Sequence, residues 1–106
     1  MPETWLFLWD DDQMVGLFRI RHYLTEALAQ GAGHVGYGIH PAYRGKGYAT
    51  RGLALAVKEA AKLIREEEVY LSCHKDNPAS LRVQLKNQAR IDHEDEVEFY
   101  TRIPLP

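Results

Sequence analysis

The chain has 106 residues, of which 45% are hydrophobic and 26% charged, as in ordinary globular proteins. This length predicts a single domain over residues 1–106 with a modest core. The 15 acidic and 13 basic residues leave a formal net charge of −2, which argues against a general nucleic-acid binder, because such proteins carry a basic excess.

Cysteine content and the longest apolar run limit the class of protein further. The single cysteine, Cys73, excludes an intramolecular disulfide and a zinc site built from several cysteines. The N-terminus has no basic region ahead of a long apolar core, and the run at 5–9 is far too short to span a bilayer. We therefore expect a cytoplasmic protein without a membrane partner.

The first third of the chain predicts a hairpin, a short helix and a strand. Residues 4–9 and 14–20 are strand-like and flank an aspartate-rich turn at 10–12. Both faces of the first strand are apolar, which fits either a strand covered on both sides or an exposed face that dimerises. Residues 23–30 have helical composition, and residues 34–39 alternate as a strand with two glycines.

The rest of the chain alternates helices with strands. Apolar residues recur at helical spacing over 49–66, and strand alternation follows at 69–73. Asn77 and Pro78 predict the start of a second helix, which runs to about residue 87. Two final strands are expected at 89–93 and 97–103. The order predicts an α/β fold with a mixed, mostly antiparallel sheet flanked by helices, and some parallel pairing.

The glycine turn at 44–49 is the strongest functional signal. It lies between a strand and a helix, and its two glycines allow the backbone to approach a ligand closely. The first N–H groups of the helix lack intrahelical partners and carry partial positive charge. Arg44, Lys46 and Arg51 add full charges. The turn therefore predicts an anion site, most simply for a phosphate or pyrophosphate.

Two common phosphate-binding motifs do not fit this turn. A nucleotide P-loop requires glycine where His40 stands and a serine or threonine where Gly47 follows Lys46. The dinucleotide fingerprint requires a third glycine, but Thr50 or Pro41 stands at that position. A phosphate or nucleotide binder of unrelated fold stays as a third, weaker hypothesis.

A different pattern, Arg/Gln-x-x-Gly-x-Gly/Ala, is met by Arg44, Gly47 and Ala49. With the strand before it, the long helix after it, and Asn77 and Ser80 at the start of a second helix, the chain strongly resembles the GNAT N-acetyltransferase superfamily. The resemblance covers residues 14–103. It implies a GNAT-like acyl-CoA N-acyltransferase fold, here without the usual N-terminal strand and helices.

The resemblance also implies acetyl-CoA as co-substrate and direct transfer of its acetyl group to a primary amine of a small molecule or peptide. Backbone N–H groups of 45–49 would hold the CoA pyrophosphate. The pantetheine arm would lie beside the strand ending at Ile39, where it splays from the strand at 69–73. The cofactor-binding residues implied in this way are Ile39, Arg44, Gly45, Lys46, Gly47, Tyr48, Ala49, Thr50, Asn77 and Ser80.

Direct transfer requires a base for the amine and an acid for the leaving thiolate. His34, His74 and Glu26 are the candidate catalytic residues, with His22 beside them, although a structural role is open for each. No two histidines have helical metal-ligand spacing, so no metal is expected. Cys73 beside His74 could suggest a thiol nucleophile, but neighbours on a strand point to opposite faces, so Cys73 is expected to be a buried structural residue.

Two departures from the family leave the activity open. Many members carry a tyrosine in the second helix as the acid, whereas Gln84 or a neighbour stands at that position here and no tyrosine occurs between Tyr70 and Tyr100. Gln88 and Ala89 replace the usual Gly-Phe. The elements that normally wall the acceptor site are also missing. The alternative hypothesis is therefore a non-catalytic CoA-binding or protein-interaction domain. The acidic run at 92–98 could attract a cationic acceptor or could simply be a solvated turn.

Overall fold

The computed structural model describes residues 2–105, which form six strands and three α-helices. The strands build two antiparallel three-stranded sheets with the orders β1-β2-β3 and β4-β6-β5. The elements in chain order are β1 (Glu3–Asp10), β2 (Gln13–Arg21), α1 (Glu26–Ala29), β3 (Val35–Ile39), a short 3-10 helix (Pro41–Tyr43), α2 (Tyr48–Leu63), β4 (Glu68–His74), α3 (Pro78–Lys86), β5 (Arg90–Glu94) and β6 (Glu98–Pro104).

The predicted hairpin is confirmed as the pair β1 and β2. Asp11 has a φ of 54°, which closes the tight turn between the two strands. Leu6 and Leu8 pack against the core. Trp5, Phe7 and Trp9 lie on the other face and are 46% to 58% exposed. Within residues 2–105 no helix or strand covers that face, although the Arg19 guanidinium lies 5.3 Å from the centre of the Trp5 ring. The interpretation of β1 as a strand covered on both sides is therefore wrong, and the dimer stays a prediction.

Helix α2 packs across the inner faces of both sheets. Its buried face, with Leu53 and Ala56, contacts Phe18 from β2 and Leu71 from β4 in one apolar cluster. The helix begins at Tyr48 and ends at Leu63, three residues before the predicted end. No helix within residues 2–105 is long and apolar enough to cross a membrane.

Within residues 2–105, backbone N–H groups join the two sheets where β3 begins. His34 N–H donates to the Tyr70 carbonyl (2.7 Å), and the Tyr70 N–H donates back to His34 Nδ1 (2.9 Å). Beyond this point, no β3–β4 ladder is formed in the part of the chain that the structure describes. The expected parallel pairing is thus reduced to this junction. The expected splay between the two strands is confirmed.

Helix α3 lies beneath the splay. The Asn77 side chain accepts a hydrogen bond from Ser80 N–H (3.2 Å), and Pro78 occupies the first helical position, as the sequence predicts. A short turn then leads into β5, which pairs with β6 rather than with the first sheet. The fold therefore presents one gap between two sheets, with the glycine turn at one end and α3 below it.

Candidate functional site

The glycine turn has the backbone geometry of an anion-binding loop. Gly45 and Gly47 have φ values of 78° and 86°, in the left-handed region that favours glycine. A Cβ added at either position would meet no atom within 4 Å, so both glycines face open space. Gly47 is the N-cap of α2 and provides no side-chain cap, which leaves the first N–H groups of the helix available to an anion.

A groove of about 470 Å³ runs from this turn to α3. All the predicted cofactor-binding residues line it except Lys46, whose Nζ instead lies 5.6 Å from the centre of the Tyr43 ring. The groove is lined by Tyr37, Gly38, Ile39, Tyr43, Arg44, Gly45, Gly47, Tyr48, Ala49, Thr50, Asn77, Ala79, Ser80, Arg82, Val83 and Lys86. The structure thus brings the two predicted segments, 44–50 and 77–80, to one site.

Two basic residues of this groove were missed by the sequence interpretation. Arg82 and Lys86 lie one turn apart on α3 and both line the groove. Their spacing of four residues, which places them on one helix face, was the available signal. One N–H of the Arg44 guanidinium is already used within the fold, since its Nε donates to the Ile39 carbonyl (3.0 Å). The cationic character of the groove therefore comes from both the turn and α3.

The edge of β3 that faces the gap carries open main-chain groups. His40 N–H donates to Val15 (2.8 Å), and the His34 carbonyl accepts from Arg21 N–H (2.7 Å), so the even-numbered residues of β3 pair with β2. In an antiparallel ladder the residues between them point their N–H and C=O groups the other way. Val35, Tyr37 and the N–H of Ile39 therefore present main-chain groups to the gap, whereas the Ile39 carbonyl is held by Arg44 Nε.

The floor of the gap is a buried hydrogen-bond network centred on Gln84. This fully buried side chain donates from Nε2 to the Ser72 carbonyl (3.2 Å) and to the Tyr37 hydroxyl (3.4 Å). Its Oε1 accepts from the Thr101 hydroxyl (2.6 Å). The Tyr37 and Ser80 hydroxyl groups lie 2.8 Å apart. Gln84 thus links the splayed strands, and its amide cannot serve as a proton donor of the kind that a tyrosine provides.

The predicted catalytic residues lie elsewhere. His34 is fully buried, with Nδ1 accepting from Tyr70 N–H and Nε2 bonded to Glu66 Oε1 (2.8 Å). Burial lowers the pKa of His34 despite the opposing effect of the Glu66 carboxylate. Both ring nitrogens are engaged, so His34 has no free nitrogen to accept a proton. These contacts favour the structural role that the sequence left open for His34, and its role as a base stays a prediction.

His74, Glu26 and His22 are not brought together. The His74 side chain is 65% exposed at the end of β4, and its Nε2 lies 4.0 Å from Glu98 Oε1. Glu26 is exposed in the first turn of α1, and His22 Nε2 bonds to the Thr4 hydroxyl (2.7 Å). None of the three lines the groove. Their catalytic roles stay predictions.

A metal or thiol mechanism receives no support within residues 2–105. No group of three or more histidine, cysteine, aspartate or glutamate side chains there is placed to hold a metal ion. Cys73 is buried on the core face of β4, where burial raises the pKa of its thiol. His74 points to the other face, as the strand alternation predicts.

The fold is similar to that of several solved acetyltransferases. The Campylobacter jejuni N-acetyltransferase PseH, solved in complex with acetyl coenzyme A, matches with a TM-score of 0.71 and 15% identity over 98% of this chain and 69% of that chain. A GNAT-family acetyltransferase from Bacillus anthracis matches with a TM-score of 0.75 and 21% identity, covering 92% and 63% of the two chains. At these identities the likeness shows the fold.

A variant of the spermidine N-acetyltransferase SpeG from Vibrio cholerae also matches, with a TM-score of 0.75 and 15% identity over 97% of this chain and 66% of that chain. A search of the curated proteins finds no match. The family model described as "Acetyltransferase (GNAT) domain" matches residues 2–90, which is most of the chain. The chain therefore belongs to the GNAT acetyltransferase family.

Proposed function

We propose that this protein is an acetyl-CoA-dependent N-acetyltransferase that moves the acetyl group directly to a primary amine of a small molecule or peptide. The observation that carries the proposal is the continuous groove from the glycine turn, past the open edge of β3, to α3. Membership of the GNAT family supports the same chemistry. The shared fold of PseH, which was solved with acetyl-CoA, supports the same cofactor.

The pyrophosphate, the pantetheine arm and the thioester of acetyl-CoA each have a matching part of the groove. The N–H groups at the start of α2 and the left-handed glycines hold the pyrophosphate, and Arg82 and Lys86 on α3 add positive charge near the phosphates. The amides of the pantetheine arm pair with the open main-chain groups of β3. The thioester then reaches the gap near Tyr37 and Ser80, above the Gln84 network.

A second candidate function, CoA binding without acetyl transfer, is favoured by one observation. Gln84 replaces the helix tyrosine of many family members and has all its polar atoms bonded within the fold. None of His22, His34, His74 and Glu26 lines the groove as a base. If the chain does transfer the acetyl group, the acceptor amine must lose its proton to water or to a group supplied with the acceptor.

Thermal stability with CoA, acetyl-CoA and ATP tests the cofactor assignment. A ligand present at about one hundred times its dissociation constant adds roughly 2.7 kcal/mol to the free energy of unfolding. We expect CoA and acetyl-CoA to raise the melting temperature and ATP to leave it nearly unchanged. Stabilisation by ATP alone would support the unrelated nucleotide binder. No stabilisation by any of the three would contradict the proposal.

Release of free CoA thiol from acetyl-CoA then separates the enzyme from the non-catalytic domain. The acceptors to be screened are spermidine, which is in the name of the SpeG enzyme, together with lysine, a lysine-containing peptide and an amino sugar. Thiol release that depends on an amine supports the transferase. Tight CoA binding with no release above the rate in buffer favours the second candidate.

A further inference from the structure

We propose that Tyr37 is the source of the proton that the CoA thiolate takes up as the acetyl group leaves, and that the Ser80 hydroxyl passes this proton on. The inference rests on the proposed function, because it assigns a role within the same groove. In this assignment, Tyr37 on strand β3 takes the role of the helix tyrosine that this chain lacks.

The geometry of the two hydroxyl groups carries the inference. The Tyr37 hydroxyl lies 2.8 Å from Ser80 Oγ, and both side chains line the groove that leads from the glycine turn. This pair lies where β3 has separated from β4, at the end of the groove away from the turn. A pantetheine arm that follows β3 from the turn therefore ends beside these two hydroxyl groups.

The other tyrosines of the groove are less suitable. Tyr48, the first residue of α2, donates a hydrogen bond from its hydroxyl to Asp10 at the end of β1. The Tyr43 ring packs edge-on against the Tyr48 ring, with ring centres 6.0 Å apart. Both lie at the end of the groove near the glycine turn, which is the end that would hold the pyrophosphate. Tyr37 is the groove tyrosine that contacts α3.

The surroundings of Tyr37 suit a proton donor. Its ring stacks on Phe18, with ring centres 5.4 Å apart, which fixes the hydroxyl in place. Burial raises the pKa of this hydroxyl, and its hydrogen bonds with Ser80 and Gln84 oppose that effect. The Gln84 amide donates to the same oxygen (3.4 Å), and this contact stabilises negative charge on it.

The proton transfer balances without any further reactant. When the tetrahedral intermediate collapses, its C–S bond breaks and the electron pair goes to sulfur. Ser80 Oγ gives its proton to the sulfur and receives the Tyr37 proton in return. The Tyr37 phenolate then recovers a proton from water once CoA leaves, and the proton lost by the amine passes to solvent. The net products are the N-acetyl amine and the free thiol.

The ionisation of bound CoA tests this role, because a purely structural contact would not change it. We would compare the wild-type chain with Tyr37→Phe and Ser80→Ala, and with Tyr23→Phe as the matched control, since Tyr23 is exposed and does not line the groove. The thiolate absorbance of bound CoA would be followed as a function of pH. We expect a higher thiol pKa in Tyr37→Phe and Ser80→Ala, because both lose donation to the thiolate, and no change in Tyr23→Phe.

The turnover of acetyl-CoA with spermidine gives a second readout. General acid catalysis contributes roughly 10²–10⁴-fold, so kcat should fall by up to that factor in Tyr37→Phe while KM for acetyl-CoA stays close to the wild-type value. Stacking on Phe18 is retained by phenylalanine, and the melting temperature checks that the variant is folded. The titration requires only CoA, so it decides the question even if spermidine is not accepted.

The outcomes separate this inference from the proposed function. An unchanged thiol pKa in Tyr37→Phe, in protein that still binds CoA, overturns the role of Tyr37. An effect of Ser80→Ala alone also overturns it, because Ser80 would then take its proton from water. Failure of the wild-type chain to bind CoA overturns the proposed function and this inference with it.

Discussion

At Gly47, the lack of a side chain both permits the backbone conformation and leaves space for a ligand. Its φ of 86° lies in the left-handed region, where most side chains are strained, and a Cβ there would project into open space. Asparagine tolerates this region better than other non-glycine residues. Replacement by asparagine therefore fills the space in front of the helix N-terminus at a small cost in backbone strain.

We expect Gly47→Asn to weaken CoA binding at least tenfold, a loss of about 1.4 kcal/mol, with the free energy of unfolding within about 1 kcal/mol of the wild-type value. Isothermal titration and denaturant unfolding measure the two quantities. Gln88→Asn is the matched control, since Gln88 also has a positive φ (69°), is uncharged and does not line the groove. Wild-type affinity in Gly47→Asn would show that the turn does not hold the pyrophosphate.

The role of His34 could not be determined from its residue type and position in the sequence. A histidine at the start of a strand beside the gap is compatible with a base or with a structural role, and the sequence keeps both open. The structure decides this through partners that are distant in the chain, Glu66 and Tyr70, which occupy both ring nitrogens. Arg44, Gly45 and Gly47 were predictable because their chemistry is local to one turn.

At the scale of elements, helix α2 owes its close approach to the first sheet to Gly52. A Cβ at this position would lie 2.4 Å from Cζ and 2.5 Å from Cε2 of Phe18, a ring that is almost fully buried. A glycine inside a helix normally costs about 1 kcal/mol relative to alanine. Here the cost is offset by the contact between α2 and β2.

Gly52→Ala should therefore destabilise the fold, although it improves helix propensity. Overpacking of a core costs about 1–3 kcal/mol and the gain in helix propensity returns about 1 kcal/mol, so we expect a net loss of up to about 2 kcal/mol in the free energy of unfolding. Leu55→Ala on the exposed face of α2 is the control and should change stability by less than about 0.5 kcal/mol. Denaturant unfolding measures both, and a stabilised Gly52→Ala would contradict the contact that the structure gives.

The existence and order of the long helices and strands were predictable, because the spacing of their apolar residues is visible within each segment of the sequence. Residues 49–66 gave α2 to within three residues at its C-terminal end, and Asn77 gave the start of α3. The position at which the two sheets meet was not predictable in this way. It depends on Gly33, whose added Cβ would meet the Tyr70 carbonyl oxygen, and on a junction formed between residues 36 positions apart.

For the whole molecule, the junction at His34 couples the arrangement of the two sheets to pH. Burial is the main cause of the lowered pKa of His34, and the Glu66 carboxylate opposes it only in part. The Tyr70 N–H donates to Nδ1, so the folded state holds the neutral ring with its proton on Nε2. Protonation of His34 would remove the acceptor for that N–H and break one of the bonds that join β3 to β4.

The sign of the pH dependence follows from proton binding. Below the ordinary histidine pKa of 6.5, the unfolded chain binds a proton at His34 more readily than the folded one. The contribution of His34 to stability is therefore fully present above pH 6.5 and is lost as the pH falls below that value. Carboxyl groups gain and lose protons at lower pH and therefore affect stability in a lower pH range. The hydrogen bond from Tyr100, for example, lowers the pKa of Asp95 to about 2.

We expect the free energy of unfolding to fall between pH 6.5 and pH 5, with a slope of up to about 1.4 kcal/mol per pH unit for one proton. In His34→Gln this slope should disappear, while stability at pH 7.5 drops by about 1–3 kcal/mol because the Tyr70 N–H loses its acceptor. His74→Gln, at an exposed position, should retain the wild-type slope. Denaturant unfolding across this range measures all three proteins. The same slope in His34→Gln and in the wild type would mean that a group other than the His34 ring causes the pH dependence of stability. The junction between the two sheets would then not be sensitive to pH in this range.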